Sequence, residues 1–185
     1  MRRFLIALAL LLTLAAPGAV PSALAADAPV DKLFKDLKAV ETPEDAKPIE
    51  AQILAAFQRS GSASVDVLMS RADAALAIGN KDIARHLYDE VVALSPRYAE
   101  GWHKRGLLQQ DAGDDSAAMI SLQKAVDLNP RQFEALAELA GMLEDFGQKS
   151  QALALYRRAL ALDPHLEGLQ RHLDGLTRDV EGQGI

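Results

Sequence analysis

The chain contains no cysteine and few aromatic residues, and these absences exclude several classes of protein. Without cysteine, the 185 residues form no disulfide framework, no thiolate zinc or iron–sulfur site and no cysteine nucleophile. Aromatic residues make up 5% of the chain, whereas alanine and leucine are abundant, a composition that favours helices over a β-sandwich. The net charge of −6 argues against electrostatic binding of nucleic acid.

The sequence also lacks the motifs that identify common enzymes and metal proteins. It has no HExxH, no glycine-rich phosphate loop, no G-x-S-x-G and no aspartate-rich calcium loop. The histidines are scattered along the chain, and His165 and His172 are expected to be solvated side chains rather than metal ligands. We therefore expect a protein that is not an enzyme and that has no catalytic, cofactor or metal site.

The first 25 residues have the layout of a secretory signal peptide. Arg2 and Arg3 precede an uncharged apolar run over residues 4–16, and Ala23-Leu24-Ala25 supplies the small-x-small pattern that signal peptidase requires. The run is shorter than the roughly 20 residues that span a bilayer. Cleavage after Ala25 predicts an exported, periplasmic protein with no membrane span. Loss of two arginines would leave 18 basic and 26 acidic residues, a net charge of −8.

The rest of the chain is organised by a repeat of 34 residues. A shift of that length superimposes glycines, small residues, large apolar residues and prolines, each class on itself. The sets are Gly79, Gly113 and Gly147; Ala84, Ala118 and Ala152; Tyr88, Leu122 and Tyr156; Val91, Ala125 and Ala159; and Pro96, Pro130 and Pro164. Glycine permits a left-handed turn between two helices, and proline ends the second helix because it lacks a backbone N–H. The register therefore predicts three helical hairpins.

This unit resembles the tetratricopeptide repeat. In the middle unit the family's characteristic positions are filled by Trp102, Gly106, Ala118, Leu122, Ala125 and Pro130. Arg71 and Arg105 depart from the family at usually apolar positions, and Gln109 stands where an aromatic residue is common. The resemblance implies an all-α, right-handed α-solenoid of helix-turn-helix hairpins with capping helices at both ends, in which neighbouring hairpins cover one another's apolar faces.

The pattern divides the chain into four segments. They are the signal peptide (1–25), an N-terminal helical pair (26–62), three repeat units (63–166, about 65–98, 99–132 and 133–166), and a C-terminal capping helix with a frayed tail (167–185). The N-terminal helical pair is a cap, a degenerate fourth repeat that acts as one, or a separate docking element. We favour the cap, because an apolar pair beside an open solenoid end would otherwise be exposed.

The first helix of each unit lines the concave face of such a superhelix, where the resemblance places partner binding. The residues predicted to face a partner are Asp66, Met69, Asp73, Glu100, His103, Lys104, Gln110, Asp111, Glu134, Glu138, Glu144 and Asp145. Eight of these twelve are acidic and only Lys104 is a full cation, which predicts a negative potential. Chaperone-binding members of the family clamp a terminal carboxylate with basic residues here, and this face would repel one.

We therefore expect a non-catalytic periplasmic module that presents an acidic concave groove to a basic or polar segment of a partner protein or peptide. The alternative is a self-associating structural or assembly protein of the cell envelope, in which an exposed solenoid end or the N-terminal helical pair forms a homodimer. A third interpretation is an enzyme, or an enzyme accessory, of cell-envelope metabolism. The acidic residues could also serve solubility alone, because surface charges are usually only solvated.

Overall fold

The structure, a computed structural model, describes residues 24–182, with side chains from residue 29 onward, and this part of the chain contains nine α-helices and no strand. They are α1 (Leu24–Ala39), α2 (Pro43–Phe57), α3 (Ala63–Ala77), α4 (Lys81–Leu94), α5 (Ala99–Asp111), α6 (Asp115–Leu128), α7 (Phe133–Asp145), α8 (Lys149–Leu162) and α9 (Leu169–Glu181). The predicted leader lies outside the described residues apart from Leu24 and Ala25, with which α1 begins. The end of the predicted frayed tail, residues 183–185, lies outside them as well. None of the described helices has the length and apolar character needed to cross a bilayer.

Helices α3 to α8 form three hairpins, which confirms the fold predicted from the register. α3 packs on α4, α5 on α6 and α7 on α8, and the second helix of each hairpin packs on the next element of the chain. Gly79, Gly113 and Gly147 turn the chain within the hairpins with φ of 78°, 77° and 74°. A side chain in that left-handed region costs about 1–2 kcal/mol. The three glycines therefore have equivalent surroundings and the same task.

Small residues allow the two helices of each hairpin to approach closely. Ala84, Ala118 and Ala152 are fully buried where the helices meet. A Cβ atom at Gly106 would lie 2.9 Å from Cγ of Leu122, so glycine is needed where α5 crosses α6. The close approach produces the dense packing on which the free energy of unfolding of a repeat protein depends.

Helix α9 covers the side of α8 that no further hairpin shelters. Leu173 and Leu176 of α9 are buried in a cluster that contains Tyr156 of α8. Lys149 Nζ lies 3.0 Å from the Asp179 carboxylate and adds an ion pair across the same two helices. The last hairpin therefore has its apolar side closed by the segment that directly follows it.

Helix α2 begins at a side-chain cap. Thr42 Oγ1 accepts a hydrogen bond from the backbone N–H of Asp45 at 3.2 Å, and Pro43 occupies the first helical position, where its missing N–H does no harm. Pro48 lies inside the helix. Phe57 near the end of α2 packs on Phe34 of α1, with ring centroids 6.3 Å apart, and joins the two helices into a pair.

The N-terminal helical pair, α1 and α2, packs on the third hairpin rather than on the first. Phe34 and Ile53 are buried in a cluster that includes Phe133 at the start of α7, together with Leu162 and Leu166 at and beyond the end of α8. The rings of Phe34 and Phe133 meet edge to face with centroids 6.4 Å apart. The apolar face of the pair is therefore covered by residues of the third hairpin, which are distant from the pair in the sequence.

The outer side of α3 stays open as a result. Val67 has the register position of Gly101 and Ala135, which are buried against preceding hairpins, but its own side chain is 57% exposed. The expectation that the pair stacks ahead of the first unit is therefore corrected. The physical reason lies in the two surfaces: the outer side of α3 offers Val67 and, just past its end, Ile78 beside the exposed Arg71, whereas the third hairpin offers a larger apolar patch.

Candidate partner-binding face

Helices α3, α5 and α7 carry the twelve residues predicted for the concave face, and the structure separates these residues by burial. Met69, Glu100 and His103 are buried; Asp66, Lys104, Gln110, Glu134 and Glu144 are partly buried; Asp73, Asp111, Glu138 and Asp145 are exposed. The three buried residues face the interior instead of a partner, which corrects the sequence-based expectation for them. The other nine remain accessible in part or in full.

A buried polar cluster joins α5 to the turn before α7. The Gln132 amide donates a hydrogen bond to Glu100 Oε2 and lies 3.1 Å from His103 Nδ1, which is itself 3.3 Å from Glu100 Oε2. Lys104 Nζ lies 3.6 Å from the other oxygen of Glu100. Because a buried charge is costly without partners, these contacts fix the second unit against the third.

Gln132 is a residue that the sequence analysis missed. It is fully buried, although it precedes α7 in an exposed-looking polar turn. The residues at the equivalent position of the neighbouring units are Tyr98 and Leu166, neither of which has an amide side chain. No signal in the sequence alone could therefore have shown that Gln132 is the partner of Glu100.

The acidic residues of α3 accept hydrogen bonds from other side chains and the backbone of the chain. Asp66 Oδ1 accepts from the backbone N–H and the hydroxyl of Ser60 at 2.9 and 2.5 Å, and these bonds lower the pKa of the Asp66 carboxyl. The Tyr88 hydroxyl donates to Asp73 Oδ1 at 2.6 Å. Both carboxylates hold structural contacts, so neither is fully available to a partner.

The far ends of α5 and α7 carry acidic residues that are also paired. Lys81 Nζ lies 2.5 Å from Asp111, and His172 Nε2 lies 2.7 Å from Glu144. The His172 ring packs edge to face on Tyr156, at a centroid distance of 5.2 Å, so α9 holds Glu144 from one side. The ion pair with Lys81 reduces the negative charge of the face at Asp111, and the contact with His172 leaves Glu144 less accessible to a partner.

The remaining acidic residues all lie on α7. Glu134, Glu138 and Asp145 take part in no ion pair among the described residues. Burial, together with the nearby carboxylates of Glu100 and Glu138, raises the pKa of the Glu134 carboxyl, although the nearby Lys104 acts in the opposite direction. Glu134 and Glu138 are one helical turn apart and project from the same face. The negative charge of the concave face is therefore concentrated along α7.

Trp102 and Arg105 have structural roles on α5. Trp102 Nε1 donates to the carbonyl of Pro96 at 3.0 Å, and the Arg105 guanidinium lies 5.5 Å from the Trp102 ring centroid. Arg105 Nε also pairs with Asp89 at 2.6 Å. Both side chains tie the second hairpin to the first. In the part of the chain that the structure describes, no three His, Asp or Glu side chains converge as metal ligands.

Comparison with known proteins assigns the family. The family model for the tetratricopeptide repeat matches residues 99–132 and 133–166. A TPR repeat-containing protein of Rhizobium etli is 32% identical over 135 residues, which make up 73% of this chain and 66% of that protein. The chain belongs to the tetratricopeptide repeat (TPR) family. It spans slightly less than two thirds of the length of this relative.

Solved structures share the TPR fold. The first TPR of Spaghetti (RPAP3), bound to the HSP90 peptide SRMEEVD, has a TM-score of 0.57 and 18% identity, and the match covers 63% of this chain and 95% of that one. The Yersinia enterocolitica type III secretion chaperone SycD, in complex with a peptide of the translocator YopD, has a TM-score of 0.57 and 16% identity, with 67% and 97% covered. These similarities show that the described hairpins have the TPR fold.

Proposed function

We propose that this TPR protein is a non-catalytic periplasmic module that binds a basic segment of a partner protein along α7. The observation that supports the proposal most directly is that the carboxylates of Glu134 and Glu138 take part in no ion pair among the described residues, while Lys104 is the only full cation of the twelve predicted residues. A lysine or arginine of the partner would make charge-assisted hydrogen bonds to both carboxylates. Because the hairpins hold these side chains in place, little conformational entropy is lost on binding.

The partial burial of Glu134 strengthens its role in this proposal. Its desolvated carboxylate, with a raised pKa, interacts with an incoming cation more strongly than a fully hydrated carboxylate does. An arriving lysine or arginine would lower the pKa of Glu134 again. Exposed Glu138 and Asp145 would contribute mainly to the rate of association.

An acidic peptide does not suit this face. The HSP90 peptide in the Spaghetti (RPAP3) complex has the sequence SRMEEVD, which carries three acidic side chains. Glu134 and Glu138 of this chain would repel such a sequence, and Lys104 already lies near Glu100. The proposal therefore separates this chain from relatives that clamp a carboxylate.

The proposed location rests on the leader sequence, residues 1–25. Export through a cleaved signal peptide would produce a mature chain that begins at Ala26. Mass spectrometry of the protein recovered from a bacterial periplasm is expected to show Ala26 as the first residue. An intact leader on the recovered protein would contradict this part of the proposal.

A fluorescein-labelled peptide of alternating lysine and alanine tests the binding proposal by anisotropy. We expect Glu134→Lys with Glu138→Lys to weaken binding at least about tenfold, and added salt to weaken binding to the unmodified protein. The matched control is Glu90→Lys with Asp127→Lys, two exposed acids on the second helices α4 and α6 with the same change of charge. An equal loss in both variants would show that net charge alone attracts the peptide, and no loss in either would exclude α7 as the site.

Self-association is the second candidate function, and the open outer side of α3 favours it. Val67 is 57% exposed and Ile78 is 82% exposed. Two copies could cover these side chains in a symmetric dimer. Light scattering over a range of protein concentrations tests this candidate: a mass that rises to twice the monomer and falls back in Val67→Asp supports it, and a monomer at all concentrations contradicts it.

A further inference from the structure

The N-terminal helical pair is held to the solenoid by contacts that reach far along the chain. Arg131 Nη1 lies 2.5 Å from Asp31 Oδ1, and the same guanidinium lies 4.2 Å from the Phe34 ring centroid. The Tyr98 hydroxyl donates to the carbonyl oxygen of Gln58 at 2.7 Å. These contacts connect both helices of the pair to the turns that precede α5 and α7.

Helix α2 runs along the edge of the solenoid where one unit passes into the next. Lys47 and Glu50 near its start line a cleft together with Pro164 and His165, after the third unit. Ile53 in its second half is buried in the cluster that contains Phe133. Because Gln58 just beyond its end contacts Tyr98, the helix spans from the end of the third unit to the start of the second.

We define the docking face as Tyr98, Arg131, Phe133, Leu162 and Leu166. It combines an apolar centre, in which Phe133 is 2% exposed beneath the pair, with the cation of Arg131 at its rim. The helix α1 presents the complementary pattern, with Asp31 placed three residues before Phe34. An apolar centre with a charged rim is the usual make-up of a surface that binds an amphipathic helix.

The pair is joined to the hairpins by a short and largely exposed link. Residues 58–62 connect α2 to α3, and Gly61 within them has a φ of 80°, which favours glycine. Helices α2 and α3 do not stack as successive hairpins do. Departure of the pair from the docking face would therefore leave the interfaces within and between the three hairpins intact.

We propose that the docking face is a second partner-binding surface, specific for an amphipathic helix, and that the N-terminal helical pair is its intramolecular occupant. A partner helix that carries an acidic residue one turn ahead of a bulky apolar residue reproduces Asp31 and Phe34 and competes with the pair. The concave residues of α7 and a basic peptide play no part in this contact, so the inference does not depend on the proposed function.

The test uses a fluorescein-labelled peptide with the sequence of residues 29–58 as the competing helix. Its binding to the chain from Ala26 onward is measured by anisotropy. In the unmodified chain the tethered pair has a high effective concentration and excludes the peptide. Phe34→Asp places a charge in the buried contact and frees the face, so we expect the peptide to bind this variant at least about tenfold more tightly.

Two further variants make the result specific. Ala39→Asp introduces the same charge at an exposed position of α1 and is expected to exclude the peptide as the unmodified chain does. Phe34→Asp combined with Phe133→Asp frees the face and destroys its centre, so the gain in peptide binding should disappear. Equal binding to the unmodified chain and to Phe34→Asp would overturn the proposal, and so would binding that survives Phe133→Asp.

A charge exchange provides the second route if circular dichroism shows that Phe34→Asp loses helix beyond α1 and α2. Asp31 is 55% exposed at its side chain, so Asp31→Arg disturbs no buried packing and only repels Arg131. We expect this variant to bind the peptide more tightly than the unmodified chain. Addition of Arg131→Asp restores the internal pair and should return peptide binding to the original level; failure of this restoration would contradict the proposal.

Discussion

Amphipathic helices flank the three hairpins of this TPR solenoid on both sides in the sequence, but they find their places differently. Helix α9 packs on α8, the helix that directly precedes it. The N-terminal helical pair bypasses its neighbour α3 and packs on the third hairpin. The difference shows that proximity along the chain places a terminal helix only when the adjacent surface is sufficiently apolar. Where the adjacent face is poor, as at Val67 and Arg71, a larger apolar patch elsewhere determines the position.

The largest loss of stability is expected from a substitution in the middle hairpin, because the packing at both ends of the solenoid depends on it. Ala118 is fully buried where α6 meets α5. Ala118→Asp would bury an unpaired carboxylate and lower the free energy of unfolding by about 3 kcal/mol or more. Thermal melting followed by circular dichroism measures the loss. Ser116→Asp, at an exposed position of the same helix, is the control, and an unchanged melting temperature in Ala118→Asp would contradict the stacked hairpins.

The next largest losses of stability are expected from one substitution at each end, and each should affect only the helices of its own end. Phe34→Ala removes the aromatic centre of the N-terminal contact and is expected to cost about 3 kcal/mol, while Leu176→Ala should cost about 2–3 kcal/mol at the other end. Hydrogen exchange locates each loss. The first variant should expose amides of α1, α2 and the start of α7, and the second those of α9. If Phe34→Ala instead speeds the exchange of α3 and leaves α7 protected, the pair packs on the first unit and the account is contradicted.

A smaller effect concerns the pH dependence of the N-terminal contact. Burial raises the pKa of the Glu50 and Asp163 carboxyls; their mutual proximity raises that of Glu50 further, whereas His165 and Lys47 lower it. A raised pKa means that the docked state binds more protons than the undocked state. Docking of α2 is therefore favoured at acidic pH and weakens as the pH rises through the interval between the ordinary and the raised pKa values. With Glu50 partly exposed, we expect less than about 1 kcal/mol.

Hydrogen exchange of α2 at acidic and neutral pH, corrected for intrinsic rates, measures this dependence. Asp163→Asn should reduce it. Asparagine is compatible with the turn, since Asn129 at the equivalent position accepts from the backbone N–H of Arg131 as Asp163 does from His165. The exposed Asp127→Asn is the control. A pH dependence that is unchanged in Asp163→Asn would assign the effect to other groups.

The smallest effect is expected at the open side of α3. Val67→Asp places a charge on a side chain that is 57% exposed, so the free energy of unfolding of the monomer should change by less than about 0.5 kcal/mol. Chemical denaturation measures this change at low protein concentration, where self-association has no part. A loss of several kcal/mol would show that some element of the chain covers this surface.

The sequence predicts well those features that short segments determine. Each hairpin has its glycine, its small residue and its proline at fixed distances, so Gly79, Gly113 and Gly147 show the same left-handed turn. The caps of α4 and α6 follow the same logic, since Asn80 and Asp114 accept from the backbone three residues ahead. Such features need no knowledge of distant residues; the glycine turn recurs in all three hairpins, whereas α8, which follows Gln148, has no side-chain cap.

Features that depend on distant partners could not be predicted. Asp31 and Arg131 are 100 residues apart, and nothing in either neighbourhood identifies the other as its partner. The same holds for the concave face, where the register gives the positions of Asp111 and Glu144 but not their pairing with Lys81 and His172. The predicted acids without an ion pair or hydrogen-bond partner among the described residues thus form a smaller group on α7, because such partners come from other parts of the chain.

Intramolecular cross-linking tests the position of the N-terminal helical pair most directly. The chain has no cysteine, so pairs of introduced cysteines can be joined with a short bis-maleimide reagent at low protein concentration. Asp31→Cys with Arg131→Cys should cross-link efficiently within one chain, and Asp31→Cys with Arg71→Cys should not. Efficient cross-linking of α1 to α3 through Arg71→Cys, without cross-linking to Arg131→Cys, would contradict the account.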